Sequence, residues 1–267
     1  MKYLSYMRIE FLKNFQYRTN YWATIANSII AILIQQALWT AVYRASPGSS
    51  PVGGEIAGIG LSTMLTYALV GRVVSGFLTI REGANFGPRV RTGAIIHDLV
   101  KPVDLHVQSF FQNLGSALFR LLAVGGPLFA IMVFLGWIEV PPWKTVALFA
   151  LSLFAGHVTL FATVFASNLA SFRTKTGVGI DHVYTIVLLL SGDLVPVDFF
   201  PTWLQAVSRF LPFRSVHYVP VAIWSGIIAP GQVMGSFVVQ VFWTASMILI
   251  SRIVWARSIK HLTIQGG

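Results

Sequence analysis

Six long apolar runs constrain this chain more than any other feature of its sequence. Each run approaches the length of about 20 residues that an α-helix needs to cross the hydrocarbon core of a bilayer. The runs lie near residues 22–43, 57–80, 110–137, 145–170, 178–195 and 232–256. The sequence therefore predicts an all-α integral membrane protein, with six transmembrane helices in a single transmembrane domain over residues 21–267.

The composition agrees with a membrane protein. Only 10% of the residues are charged, whereas a soluble domain carries about 25%. The formal net charge of +10 is explained by cytosolic loops, which collect Lys and Arg, and by anionic lipid headgroups, which attract them. We therefore expect membrane lipids and not nucleic acid as partners. The absence of cysteine excludes disulfides and thiolate metal sites.

The basic residues also predict the orientation. They gather before the first run and in every second loop after it, namely Lys2, Arg8, Lys13, Arg18, Arg81, Arg89, Arg91, Lys101, Arg173, Lys175, Arg257 and Lys260. The alternate loops hold Arg44 and Lys144. Because Lys and Arg concentrate on the cytosolic side, both termini are expected in the cytosol. The expected location is a cytoplasmic (inner) membrane of the bacterial type.

The segment 1–20 carries a narrow apolar stripe at helical spacing, formed by Leu4, Met7, Phe11 and Phe15. Such a helix lies in the membrane interface and does not cross the bilayer. We predict a cytosolic interfacial helix here. The alternative is a frayed basic tail.

Residues 196–230 contain five of the twelve prolines, namely Pro196, Pro201, Pro212, Pro220 and Pro230. Proline interrupts a straight helix, so the segment predicts two short helices near 202–210 and 214–228. If it crossed the membrane, the basic C-terminus would lie outside, against the charge rule. A re-entrant external helical hairpin, buried by protein, fits better. Asp193 and Asp198 are expected to cap this hairpin. The alternative is that they bind a cation or gate the exit.

The loop 81–106 is the longest predicted cytosolic loop. Thr92 can cap a short helix from Gly93 to Val100, and Pro102 discourages its continuation. Ile95, Ile96, Leu99 and Val100 would give this helix an apolar face, and an exposed apolar face needs a partner. The alternative is that the face packs on the spans of its own chain.

Three local motifs carry a resemblance to a known family. They are Tyr17–Asn20 (Tyr-Arg-Thr-Asn), Val90–Ile95 with Leu99–Pro102, and Asp193–Pro196 with Phe199–Pro201 and Leu211–Phe213. Their order and spacing resemble those of type-2 ABC exporter permeases over nearly the whole chain. Membership implies an ATP-driven export complex of two permease halves, identical or paralogous, and two cytosolic ATPase subunits.

The resemblance also implies that residues 92–101 form a coupling helix seated in an ATPase. Ile95, Ile96 and Leu99 would be its buried anchors, and Arg89, Arg91 and Lys101 would lie at the rim. The chain contains no Gly-Lys dipeptide and hence no phosphate-binding loop. We therefore expect a transport subunit without catalytic residues, metal or cofactor of its own, with ATP and Mg²⁺ in a partner.

Arg72 and Arg120 lie inside the second and third apolar runs, where charges are costly and face protein or water. They could line an inner vestibule and attract an anionic substrate or a lipid phosphate. The alternative is that they reach the cytosolic headgroups or bond to backbone oxygens.

Two other functional classes remain open. An ion-coupled secondary transporter or channel would need acidic residues inside the membrane, and the runs offer only Asp181 and Asp193 near their ends. An integral membrane enzyme would need a catalytic motif, and the sequence contains neither HExxH nor GxSxG.

Overall fold

The computed structural model describes residues 2–16, 18–46, 54–80, 86, 89, 92–169 and 180–261, and most of these residues are helical. The α-helices are α1 (Lys2–Asn14), α2 (Arg18–Ala45), α3 (Leu61–Phe77), α4 (Ile96–Leu99), α5 (Leu105–Arg120), α6 (Gly126–Phe134), α7 (Trp143–Asn168), α8 (Ile180–Leu190), α9 (Thr202–Arg209), α10 (Tyr218–Ser225) and α11 (Pro230–Ser258). A π-helical segment, Leu121–Gly125, joins α5 to α6. Short 3₁₀ turns lie at Val197–Phe199, Pro212–Ser215 and Ile259–His261. The predicted all-α membrane fold is confirmed.

Four helical stretches among the described residues are long and apolar enough to cross a membrane: Trp22–Ala45, Leu105–Phe134, Trp143–Asn168 and Pro230–Ser258. The apolar helix α3 is shorter, at 17 residues, and α8 has 11 described residues. The second and fifth predicted spans therefore correspond to short helices. The count of six spans stays a prediction.

The predicted helix over 57–80 is wrong at its start. Residues Glu55–Ile56 and Ile59–Gly60 pair as a small antiparallel hairpin, and α3 begins only at Leu61. Ala57 and Gly58 both have positive φ, which is the backbone of a tight two-residue hairpin turn. The buried Tyr43 hydroxyl of α2 donates to the Ile59 carbonyl oxygen at 2.8 Å and so holds this hairpin against the end of α2.

The third span begins at Leu105, five residues before the apolar run, because Asp104 caps it. One carboxylate oxygen of Asp104 accepts from the Val107 backbone N–H at 3.0 Å, which satisfies a donor that the first helical turn leaves free. The span continues through the π-helical segment into α6, where Pro127 stands in the first turn.

The predicted N-terminal helix exists as α1, and it packs along α5. A Cβ added at Gly115 would lie 2.2 Å from the Met7 carbonyl oxygen, so only glycine allows this approach. The Tyr3 and Phe111 rings stack with centroids 5.9 Å apart. The predicted apolar stripe is thus divided, because Met7 faces α5 while Leu4 remains exposed. Whether the exposed side lies in the membrane interface stays a prediction.

Helix α3 lies at the centre of the fold, and its buried residues include Met64, Tyr67 and Val74. It packs against α2, α10 and the π-helical segment. The helices α2 and α11 lie at the margin, since only 17% and 6% of their apolar windows are buried within the chain. Their outer faces are the surfaces that this chain leaves to lipid or to another subunit.

Candidate coupling and transport sites

The coupling segment, residues 92–104, contains one turn of α-helix, α4. The predicted helix from Gly93 to Val100 is wrong at its start, because Gly93 has φ +72° and the chain forms turns until Ile95. No side chain caps α4, whose N-cap residue is Ile95. The Ile95 backbone N–H instead donates to the Arg89 carbonyl oxygen at 3.0 Å. Arg91 lies outside the described residues.

An acidic side chain braces this segment from inside. Asp98 is buried and forms ion pairs with Arg89 and with Lys101, the latter at 3.0 Å. The Arg89 guanidinium also lies 5.9 Å from the centre of the buried Phe86 ring. Two of the predicted rim cations therefore hold the segment together.

The three predicted anchors have different environments. Ile95 is 2% exposed and belongs to the hydrophobic core, which agrees with the alternative that the apolar face packs on its own chain. Ile96 and Leu99 are half-buried. Val100 is 77% exposed and is the apolar residue that the segment presents at its tip. Ile95 as an anchor for a partner is therefore corrected to a core contact.

Asp104 stands where the coupling segment meets three helices. Its carboxylate accepts from Arg252 of α11 at 2.5 Å and from the Val107 N–H of α5, and its own N–H donates to the Tyr3 hydroxyl of α1 at 3.2 Å. Burial pushes the pKa of Asp104 upward, but the hydrogen bonds from Arg252 and Val107 outweigh this effect and leave the pKa below its ordinary value. The carboxylate is therefore ionised at neutral pH.

The two arginines inside the spans differ. Arg120 donates to the carbonyl oxygens of Gly76, at 3.0 Å, and Thr79, at 2.6 Å. These bonds satisfy carbonyl oxygens at and just after the end of α3 that lack helical partners. Arg120 therefore agrees with the alternative stated above, in which the side chain bonds to backbone oxygens. Arg72 lies half-buried on α3 and makes no hydrogen bond or ion pair within the described part of the chain. Of the two, Arg72 remains a candidate for the substrate path.

The proline-rich segment folds as the predicted pair of short helices, α9 and α10, although α10 begins four residues later than expected. Its apex is Ser215–His217. The buried amide of Gln240 donates to the Ser215 carbonyl oxygen at 2.7 Å, and a Cβ added at Gly156 would lie 2.4 Å from that of Val216. His217 Nε2 lies 3.2 Å from the Gly71 carbonyl oxygen.

The apex lies deep along three helices. Gly71, Gly156 and Gln240 follow the first residues of α3, α7 and α11 by about 15 to 20 Å, at 1.5 Å per residue. The hydrocarbon core is about 30 Å thick. The apex therefore contacts these helices between about one third and two thirds of the way along their length, and α8 ends beside it, where the Ser191 carbonyl oxygen accepts from the Tyr218 N–H at 2.9 Å.

The predicted capping role of the two hairpin acids is wrong. The 3₁₀ turn after Pro196 and the helix after Pro201 have no side-chain cap. Asp193 instead accepts from the Ser75 hydroxyl of α3, and its carboxylate lies 3.1 Å from His217 Nε2. Asp198 contributes a backbone carbonyl oxygen, which accepts from the Gln205 amide at 3.0 Å. Pro212, the remaining hairpin residue singled out in the sequence, begins a 3₁₀ turn and is buried.

Several of these partners carried no clear signal in the sequence. Ser75, His217, Gln240 and Arg252 make contacts across 25 to 148 positions of chain. Asp104 was also missed: aspartate is a common N-cap residue, but the apolar run that marked the third span begins only near residue 110.

These observations define the class: a multi-pass α-helical membrane protein with a braced polar segment between two central helices. Its sequence matches the profile of the ABC-2 family transporter proteins over residues 29–266. The chain belongs to this family and is an ABC-2 type permease. Permeases of this family are membrane subunits that normally work with ABC ATPase subunits. Comparisons with curated proteins and with solved structures gave no match.

Proposed function

We propose that this permease is the membrane-spanning subunit of an ATP-driven exporter. It forms half of the translocation path, and a second permease, identical or paralogous, forms the other half. Two cytosolic ABC ATPase subunits bind ATP and Mg²⁺ and drive the complex. Membership of the ABC-2 family supports the proposal, and the charge distribution favours a bacterial-type cytoplasmic (inner) membrane with both termini in the cytosol.

The coupling segment is the observation that carries this proposal. It presents the exposed Val100 on a turn that Asp98 braces from inside. An ATPase cleft would bury Val100 together with the outer edges of Ile96 and Leu99, with charged side chains around them. A central apolar contact with a charged rim is the usual anatomy of such an interface. The rim would comprise Arg89 and Lys101, and the sequence adds Arg91 as a further expected rim cation.

The proposed topology has six crossings. The short α3 and α8 count as crossings because both run beside the apex of the proline-rich segment. The segment itself would enter from the outside and return, as a re-entrant hairpin. Its broken backbone is tolerated at this depth because α3, α7 and α11 bury it. The depth of Ser215–His217 along these helices supports this arrangement.

The outer face of α2 supports a path between two permeases. Gln36, Thr40 and Arg44 follow one another along this face at intervals of four residues, and with small neighbours such as Ala37 and Ala41 they line an open groove. Polar side chains in a membrane span usually face protein or water and not lipid. We propose that the second permease, or the translocation path between the two permeases, lies against this groove. Arg72 would line the same translocation path.

The ion-coupled alternative has one observation in its favour, since Asp193 lies beside His217 and Ser75 in the interior. These three groups bond to one another and to backbone. Membership of the ABC-2 family favours ATP as the energy source.

The test is purification from native membranes in mild detergent, with Val100→Asp as the variant. Placing a charge in a dry contact costs about 2 kcal/mol or more, which weakens association about thirtyfold. We expect the wild type to retain a nucleotide-binding subunit and Val100→Asp to lose it. Val140→Asp is the matched control, because Val140 is exposed in the turn between α6 and α7. Repeated recovery of wild type without an ATPase would contradict the proposal.

A further inference from the structure

Asp104 joins three helices at a single residue. Through its carboxylate it binds α11, at Arg252, and it caps α5, at Val107. Through its backbone N–H it binds α1, at Tyr3. A second contact lies two residues further along the chain, where His106 Nε2 is 2.7 Å from the buried Ser251 hydroxyl of α11. The first turn of α5 is therefore bound to α11 at two successive points.

The chain between the tip of the coupling segment and Asp104 is short and internally bonded. Only three residues separate Val100 from Asp104. The Val103 N–H donates to the Lys101 carbonyl oxygen at 2.7 Å, and the Lys101 ammonium donates to Asp98 at 3.0 Å. Because this connection is short and hydrogen-bonded, we expect a displacement of the tip to move Asp104 as well.

The polar contacts of α11 fall in two groups: Gln240 and Thr244 bind α7 and the apex, and Ser251 and Arg252 bind the first turn of α5 and Asp104. Only 6% of its apolar window is buried within the chain, and its outer face carries exposed residues such as Phe242 and Leu249. Arg252 pairs with Asp104, whereas Arg257, five residues later and exposed, makes no ion pair among the described residues. The cytosolic half of α11 is thus bound to Asp104 through Arg252 and to the first turn of α5 through Ser251.

We infer that Asp104 is a positioning residue that passes displacement of the coupling segment to α11 and to α1. The inference deepens the proposed function and rests on it. In this arrangement the ATPase moves the Val100 tip, and Asp104 makes α1, α5 and α11 follow as one unit. The exposed face of α11 then moves relative to its surroundings. The ion pair has this role only while Asp104 carries its charge, which its lowered pKa ensures at neutral pH.

The decisive variant is Asp104→Asn. Asparagine caps a helix as well as aspartate does, so the bond to Val107 is kept while the charge that binds Arg252 is lost. The wild-type chain has no cysteine, so Leu249→Cys, at a site 61% exposed on α11, introduces a unique position for a fluorescent label. The purified complex with its ATPase, in lipid nanodiscs, is compared without nucleotide and with ATP and vanadate.

We expect the label in the otherwise wild-type complex to respond to nucleotide. Asp104→Asn should reduce this response about fivefold or more, in the range of ordinary coupling between sites, while ATP hydrolysis stays within about twofold. Arg252→Gln should reduce the response similarly. The double variant should show no further loss, because both changes remove one contact. Arg257→Gln, the matched control on the same helix, should respond normally.

A full response in Asp104→Asn and Arg252→Gln would overturn the inference and leave the proposed function intact. A loss of response that is accompanied by an equal loss of assembly and hydrolysis would also overturn it, since that pattern belongs to a purely structural ion pair. Failure of the wild type to purify with an ATPase would instead refute the proposed function. If Asp104→Asn does not fold, Arg252→Gln alone decides between these outcomes.

Discussion

Gln240 offers the sharpest test of how the proline-rich segment is held. Its side chain is fully buried in α11. The amide donates to the carbonyl oxygens of Ser215, at 2.7 Å, and Ser152, at 2.9 Å, and its oxygen accepts from the Ser152 hydroxyl at 2.8 Å. One side chain therefore joins α11 to α7 and to the apex.

Replacing Gln240 by Met keeps the length and approximate volume of the side chain, so no large cavity forms. The three hydrogen bonds are lost. Hydrogen bonds between membrane helices contribute about 0.6 kcal/mol each on average, so the expected loss in free energy of unfolding is about 2 kcal/mol. The value rises if the Ser215 carbonyl oxygen stays buried without a donor.

The measurement is unfolding of the purified permease in mixed micelles by increasing SDS, followed by tryptophan fluorescence. Gln232→Met is the matched control, because Gln232 lies on the same helix and is exposed. We expect the control to unfold with the wild type and Gln240→Met to unfold at lower SDS. If both variants lie within about 0.5 kcal/mol of the wild type, below the average for a single membrane hydrogen bond, Gln240 does not hold the apex.

Two further predictions follow from the geometry. Gly115→Ala should displace α1 from α5 at a cost of about 1–3 kcal/mol, as overpacking does, and expose α1 to limited trypsin digestion; Gly235→Ala, where a Cβ meets nothing within 4 Å, is the control, and equal resistance of both variants would contradict the packing. For the topology, Ile259→Cys and Phe210→Cys are both exposed sites: a membrane-impermeant thiol reagent should label position 210 in intact cells and position 259 only after permeabilisation. Labelling of both from the same side would refute the proposed orientation.

The sequence was sufficient to predict the membrane class and the long helices. An apolar run long enough to span a bilayer has few stable structures other than a membrane-spanning helix. For this reason α2, α7 and α11 agree with their predicted ranges within a few residues. The paired short helices of the proline-rich segment were also readable, because proline interrupts helices locally. The start of α3 was missed because a two-residue hairpin turn at Ala57 and Gly58 is not visible in an apolar run.

The sites were less predictable because their contacts are not local. The role of Arg120 depends on carbonyl oxygens more than 40 positions away, and that of Asp193 depends on Ser75 and His217. The anchor residues show the same limit: Ile95 and Val100 have similar chemistry, yet one is in the core and the other is at the tip. Hydropathy and spacing predict which residues share an apolar face. Only the packing of the whole chain decides which of those residues are buried in the core and which stay exposed.

The π-helical segment Leu121–Gly125 divides the third span into two halves whose apolar faces point in different directions. A π-turn holds one residue more than an α-turn, so the apolar face of α6 does not continue the face of α5 but starts from a new angular phase. This change of direction lies between two contacts with α3. On one side Arg120 binds carbonyl oxygens at the end of α3. On the other, Gly125 packs so closely on Val73 that an added Cβ would lie 3.0 Å from the Val73 side chain. The half that carries α1 and the half that ends at Phe134 therefore present their apolar faces in different directions, so one membrane span packs as two differently oriented helices.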